Sequence, residues 1–159
     1  MKPVSLLLNT VLLTSLLLSP SVFAHDGLKY DEPYARATAP NAVNSAIFMT
    51  IENHMANERS LVAAHTDAAE KVELHTVEKV GDMMKMRQVE RITIPAHGEV
   101  QLKPGSDHIM LLNIKQPLIE GQNITVTLNY NNGETETMSV PVKKVMVGMS
   151  HHSTAHSEH

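Results

Sequence analysis

The stretch Ala42-Val43-Asn44-Ser45-Ala46-Ile47-Phe48-Met49-Thr50-Ile51-Glu52-Asn53 decides the fold. In an extended chain successive side chains point to opposite faces, so Ile47, Met49 and Ile51 share one side while Phe48, Thr50 and Glu52 share the other. Working outward, similar short runs recur at Leu61 to Thr66, Val72 to Val77, Met84 to Val89, Arg91 to Ile94, Glu99 to Leu102, His108 to Ile114, Asn123 to Tyr130 and Thr135 to Val142. Pro95, Pro104-Gly105 and Pro117 punctuate the connections. Asn132-Gly133 predicts a type I′ hairpin turn, in which both central residues take positive φ. No segment carries sustained helical periodicity. The pattern predicts an all-β domain, either a two-sheet sandwich or a Greek-key barrel.

The ends of the chain read differently. Lys2 precedes the apolar run Leu6 to Leu18, followed by Ser19-Pro20 and Val22-Phe23-Ala24, which is the pattern of a secretory leader cleaved after Ala24. That run is shorter than the ~20 apolar residues a membrane span requires. The expected organisation is therefore a leader over 1–24, an N-terminal segment over 25–34, a β domain over 35–142 and a flexible tail over 143–159. A periplasmic location follows from the leader, and no membrane span is expected after its removal.

Composition removes several classes of function. The formal charge of −4 becomes −5 without Lys2, and Lys and Arg form no cluster, so nucleic acid is not an expected partner. Cysteine is absent, which excludes disulfides, a cysteine nucleophile and any metal thiolate among these residues. Neither an HExxH helix nor a Gly-Xaa-Ser-Xaa-Gly elbow occurs.

His108 and Met110 are two apart on a predicted strand and face one side together, forming a two-ligand clip. His75 and Met86 lie on earlier strands joined through Gly81-Asp82. Two imidazoles and two thioethers are neutral donors, and thioether sulfur is soft, so this set suits Cu(I) rather than Zn(II), Mg(II) or Ca(II). A monovalent ion among neutral donors also carries a smaller desolvation cost than a divalent one. A blue-copper electron-transfer centre would need a cysteine, which argues for carrying copper rather than cycling it.

These residues resemble the periplasmic PCuAC copper chaperones, whose signature is His, ten residues, Met, twenty-one residues, then His-Xaa-Met. Ten residues separate His75 from Met86 here, and twenty-one separate Met86 from His108. With 10 His and 10 Met in 159 residues, chance supplies the whole spacing in well under about 1% of shuffled sequences. Val72-Glu73-Leu74-His75, Met84-Lys85-Met86-Arg87, Ile94-Pro95-Ala96 and Leu102-Lys103-Pro104-Gly105 are also similar to the family, across about Ala35 to Val142. At Ser106-Asp107 relatives often carry another glycine. The resemblance implies a cupredoxin-like β-barrel holding Cu(I) near its surface. It also implies delivery towards cytochrome c oxidase subunit II, with or without a Sco-type protein.

Further residues are secondary candidates. Met84, two before Met86, shares its face as a substitute or supporting thioether, whereas Met83 faces away. His25 would become the mature N-terminus, where its amine and ring could chelate Cu(II). Met146, Met149, His151, His152, His156 and His159 crowd a polar tail suited to Cu(II). That tail supports an alternative reading, copper sequestration and resistance. A copper oxidase or monooxygenase built on His25 is a third, lesser reading. His54-Met55, His65 and His97 read as turn or surface residues, and Met49 and Met138 as packing.

Overall fold

The computed structural model describes residues 27–144, and all of its regular structure is β. The expected leader, His25 and the tail residues Met146, Met149, His151, His152, His156 and His159 lie outside the described residues. Ten strands follow in order: β1 Leu28–Arg36, β2 Asn44–Asn53, β3 Arg59–His65, β4 Ala69–Val80, β5 Met83–Gln88, β6 Ile92–Ile94, β7 Gly98–Leu102, β8 His108–Ile114, β9 Asn123–Tyr130 and β10 Thr135–Lys143. Among the described residues no helix is long and apolar enough to cross a membrane.

The strands run side by side as β5-β4-β8-β2-β1-β10-β9-β3-β6, with β7 on β2 beyond the end of β8. All pairings are antiparallel except β1 with β10, joined in parallel at Ala35↔Val142 and Arg36↔Lys143. That parallel contact is the seam between two faced sheets. Between them lie Ile47, Met49 and Ile51 of β2, Leu74 of β4, and Ile109 and Leu111 of β8. From the other sheet come Leu61, Ile94, Val126, Leu128 and Val140. Burial of this apolar surface is the main stabilising term in a chain with no disulfide. The all-β class read from the alternation is the observed one.

Three local features depart from the sequence reading. The chain from Leu28 to Arg36 is a full strand, paired to β2 from Leu28↔Asn53 to Ala35↔Ile47, so the domain includes most of the segment 25–34. Its alternation was hidden by a register shift between Asp31 and Tyr34, where Glu32 takes φ 48° just before Pro33. Strand β4 is also longer than its apolar stretch, because its ends carry Glu70, Lys71, Glu78 and Lys79 towards solvent. In the β9–β10 hairpin only Gly133 takes positive φ, and the Tyr130 carbonyl accepts from Gly133 N at 3.0 Å. Asn132 instead uses its side-chain oxygen to accept from Glu134 N at 3.2 Å. The turn is thus the three-residue form with a glycine bulge rather than type I′.

Candidate metal site

The face of β4, β8 and β2 that turns away from the core carries the candidate ligands. Because Ile109 and Leu111 point inward, His108 and Met110 point outward together, as their spacing requires. The antiparallel register sets His75 directly opposite His108, and Glu73 opposite Met110. On the far side of β4, Met86 stands opposite Val77, two residues along from His75 on the same face. On β2, Ala46 lies under Met110 in register, and its small side chain leaves room there. A cleft of about 240 Å³ results, lined by Met86, His108 and Met110 together with Arg36, Phe48 and Pro104 among others. His75 adjoins it, its ring centroid 5.8 Å from that of His108 at 54°.

Both imidazoles are held by one nitrogen and leave the other without a partner. His108 is 3% exposed, and its Nδ1 donates to the Ser106 carbonyl at 2.8 Å. A carbonyl can only accept, so in the neutral ring Nε2 carries the lone pair. His75 Nε2 donates to the Glu73 carboxylate at 2.6 Å, which leaves the lone pair on Nδ1. His108 Nε2 and His75 Nδ1 are buried and have no hydrogen-bond partner. An unsatisfied buried acceptor costs about 1–3 kcal/mol. Two such atoms on facing strands, each oriented through its other nitrogen, match the way ligating histidines are supported.

Glu73 is itself fixed. Its carboxyl is held below the ordinary carboxylate range by hydrogen bonds from His75 and from Lys71, the latter a close contact at Oε1. Among the described residues no three His, Cys, Asp or Glu side chains group as a metal site. The further candidate donors on this face are the thioethers of Met86 and Met110. Met110 is partly buried in the cleft, whereas Met86 is 52% exposed, so the site opens to solvent on its Met86 side.

Aromatic and cationic groups form the opposite wall. The Phe48 ring lies 6.2 Å from that of His108 and 5.2 Å from that of Tyr34, and the Arg36 guanidinium sits 5.3 Å from its centroid. Glu73, Phe48, Arg36 and Ser106 were not singled out in the sequence as parts of a site. Period-two spacing from His75 would have found Glu73, because both lie on one face of β4. Ser106 reaches His108 locally, from two residues before it in the chain, whereas Phe48 and Arg36 reach the site through tertiary pairing.

The secondary candidates separate. Met84 is on the same face as Met86 but opposite Lys79, one step further from the histidines, and does not line the cleft. Met83 pairs with Val80 and has the opposite parity. His54 and His97 line a different cleft with Glu52 and Glu99, at the Asn53 end of β2, and His65 is exposed beside Asp67. Met49 is buried and Met138 packs against the core.

Comparison with known proteins gives a consistent picture. Residues 28–142 match the LpqE-like family model, described as "Putative lipoprotein LpqE-like". "Putative lipoprotein Lxx21020" of Leifsonia xyli subsp. xyli is 34% identical over 119 residues, covering 74% of this chain and 70% of that protein. Among solved structures, the copper-bound PCuAC domain from PmoF2 superposes with a TM-score of 0.63 at 18% identity, over 75% of this chain and 94% of that one. At that identity the likeness concerns the fold. The Cu(I)-bound solution structure of DR1885 from Deinococcus radiodurans is 33% identical with a TM-score of 0.61, over 72% of this chain and 76% of that one. Its apo form gives 28% identity and 0.62, over 94% and 100%. The chain belongs to the LpqE-like family and has the fold of a PCuAC domain.

Proposed function

We propose that this protein is a copper chaperone that holds one Cu(I) between His75, Met86, His108 and Met110 and releases it to an acceptor. The observation that carries the reading is the pair of buried, unpartnered ring nitrogens, His75 Nδ1 and His108 Nε2, beside two thioethers. In the neutral ring each of these nitrogens carries the lone pair, because the other nitrogen donates its hydrogen elsewhere, and that lone pair is what a metal would take. Four neutral donors, two of them soft sulfurs, favour Cu(I). The Cu(I)-bound DR1885 supports the same ion for a relative 33% identical.

Release follows from the asymmetry of the donors. The histidines are fixed to a strand pair over the core, whereas Met86 sits on the outermost strand, all of whose residues are exposed. An incoming ligand can displace Met86 first, while His108 stays in place. Ligand exchange of this kind needs no redox step, which fits a carrier rather than an enzyme. Export to the periplasm, with cleavage after Ala24, suits this role; the lipoprotein wording of the family description supports export alone, since the sequence has no cysteine to carry a lipid. By resemblance the acceptor is cytochrome c oxidase subunit II or a Sco-type protein.

Competition between the protein and a chromophoric Cu(I) chelator tests the reading. One tight equivalent is expected for the wild type, and at least tenfold weaker binding for the Met86→Ala/Met110→Ala double variant. A smaller loss sinks the assignment of the thioethers.

A further inference from the structure

The charge around the cleft has the opposite sign to the protein as a whole. The full chain carries −4, yet the charged side chain in the lining of the cleft is a cation, Arg36. Arg36 lines it, and Lys143, opposite Arg36 in the β1–β10 register, reaches over Tyr34 with its ammonium 5.7 Å from the ring. Tyr34 in turn abuts Phe48 of the cleft wall. On the other side Lys79 stands opposite Met84, on the face that presents Val77 and Met86 to the cleft. The carboxylate among the ligands, Glu73, is engaged by His75 and Lys71. In the loop before His108, Lys103 and Asp107 carry opposite charges, the Lys103 ammonium donating to Gln101 at 3.3 Å. Glu52 and Glu99 lie at the far end of β2, around the second cleft.

Arg36 adds a second observation. Its Nε is buried and has no hydrogen-bond partner, although its guanidinium stacks on Phe48. A buried guanidinium N–H without an acceptor is costly, and its fork geometry matches a carboxylate. The exposed apolar group that lines the cleft with it is the Met86 thioether, a side chain that adapts to varied surfaces. An apolar centre next to a partly buried arginine, with lysines further out, has the anatomy of a protein-binding patch.

We propose that the cleft face docks an acidic segment of a partner protein, with a partner carboxylate seated on Arg36 and further acidic groups facing Lys79 and Lys143. Docking there puts the partner within reach of Met86, the ligand most open to exchange. The inference deepens the chaperone reading by naming the kind of acceptor, and it rests on that reading for the purpose of docking alone. Electrostatic complementarity of this form acts chiefly on encounter rate and partner choice, and is weakened by salt.

The test uses the copper-free protein, so its outcome is independent of the copper titration. A glutamate-rich peptide without methionine, and its twin with lysine in place of every glutamate, are titrated while amide shifts are followed by NMR. The expected result is binding of the acidic peptide at least about tenfold tighter than its twin at low salt, with shifts centred on Arg36, Phe48 and Met86. Most of that preference disappears in about 1 M salt, where the screening length is about 3 Å. R36Q should abolish the preference, R36K should retain part of it, and the rim variant K79E/K143E should reverse it. The rim variant carries the test if R36Q fails to fold. Equal binding of the twin peptides, or a preference unchanged in K79E/K143E, overturns the proposal. Displacement of the peptide by millimolar acetate or phosphate would assign Arg36 to a small anion instead and overturn it. Binding of phosphatidylglycerol vesicles through the same residues, as tightly as the acidic peptide, would make the face a membrane surface and overturn it as well.

Discussion

His75 and His108 face each other across the β4–β8 ladder with their rings 5.8 Å apart, and each has one nitrogen tied and the other left without a partner. Strand register alone brings them together. A preformed pair would lower the ordering cost of binding a metal, and Met86 on β5 is the most exposed of the four proposed ligands.

The tie on His75 is open to test. Glu73 accepts from His75 Nε2 and so fixes the lone pair on Nδ1. Glu73→Gln is expected to weaken Cu(I) binding about 10–100-fold, the usual effect of losing a group that orients a metal-bound histidine. Chelator competition measures it, and circular dichroism should show the β fold unchanged. Wild-type affinity in this variant would remove Glu73 from the account.

Met84 and Met86 should differ in effect. Met86 lines the cleft and Met84 does not, so Met86→Ala alone should weaken Cu(I) binding more than Met84→Ala alone. Parallel titrations of the two variants decide it. Equal losses would mean that β5 slides in register to offer either sulfur.

Stability should show a separate signature in the paired tyrosines. Tyr30 and Tyr130 share a hydroxyl–hydroxyl hydrogen bond of 2.8 Å. Tyr30→Phe alone leaves the Tyr130 hydroxyl buried and unpaired, at a cost of about 1–3 kcal/mol, whereas the double change to Phe should be nearly neutral. Denaturant midpoints for the single and double variants provide the comparison.

The same pair sets an alkaline limit. Burial raises the Tyr30 hydroxyl to about 12, and burial with the Tyr30 contact raises that of Tyr130 further. An unfolded tyrosine ionises near pH 10, so between about pH 10 and 12 the unfolded chain binds fewer protons than the folded one. Stability contributed by the neutral pair is therefore complete below about pH 10 and falls as pH rises through that window. Unfolding midpoints measured from pH 8 to 12 should decline above pH 10, and less so in the double Phe variant.

Much of this was legible in the chain. Strands β8 and β9 have the bounds their alternation indicated, because clear turn residues flank them. His108-Xaa-Met110 announced a shared face, since period two is intrinsic to a strand. Strand β1 was not legible, because the break at Glu32-Pro33 shifts its register within one strand. The roles of Arg36 and Phe48 were hidden for another reason. Phe48 sits on the outward face of β2, where alternation alone predicts solvent, and only the return of β8 and the crossing of β1 enclose it. Long-range strand pairing is the part of a β fold that local pattern leaves open.

X-ray absorption on the Cu(I)-loaded protein truncated after Lys144 tests the central claim most directly, because every described strand is retained and the methionines and histidines of the tail are removed. Two sulfur scatterers and two imidazole nitrogens on each copper are the expected result, with the sulfur contribution lost in the Met86→Ala/Met110→Ala variant. A first shell of nitrogen and oxygen alone would contradict the account.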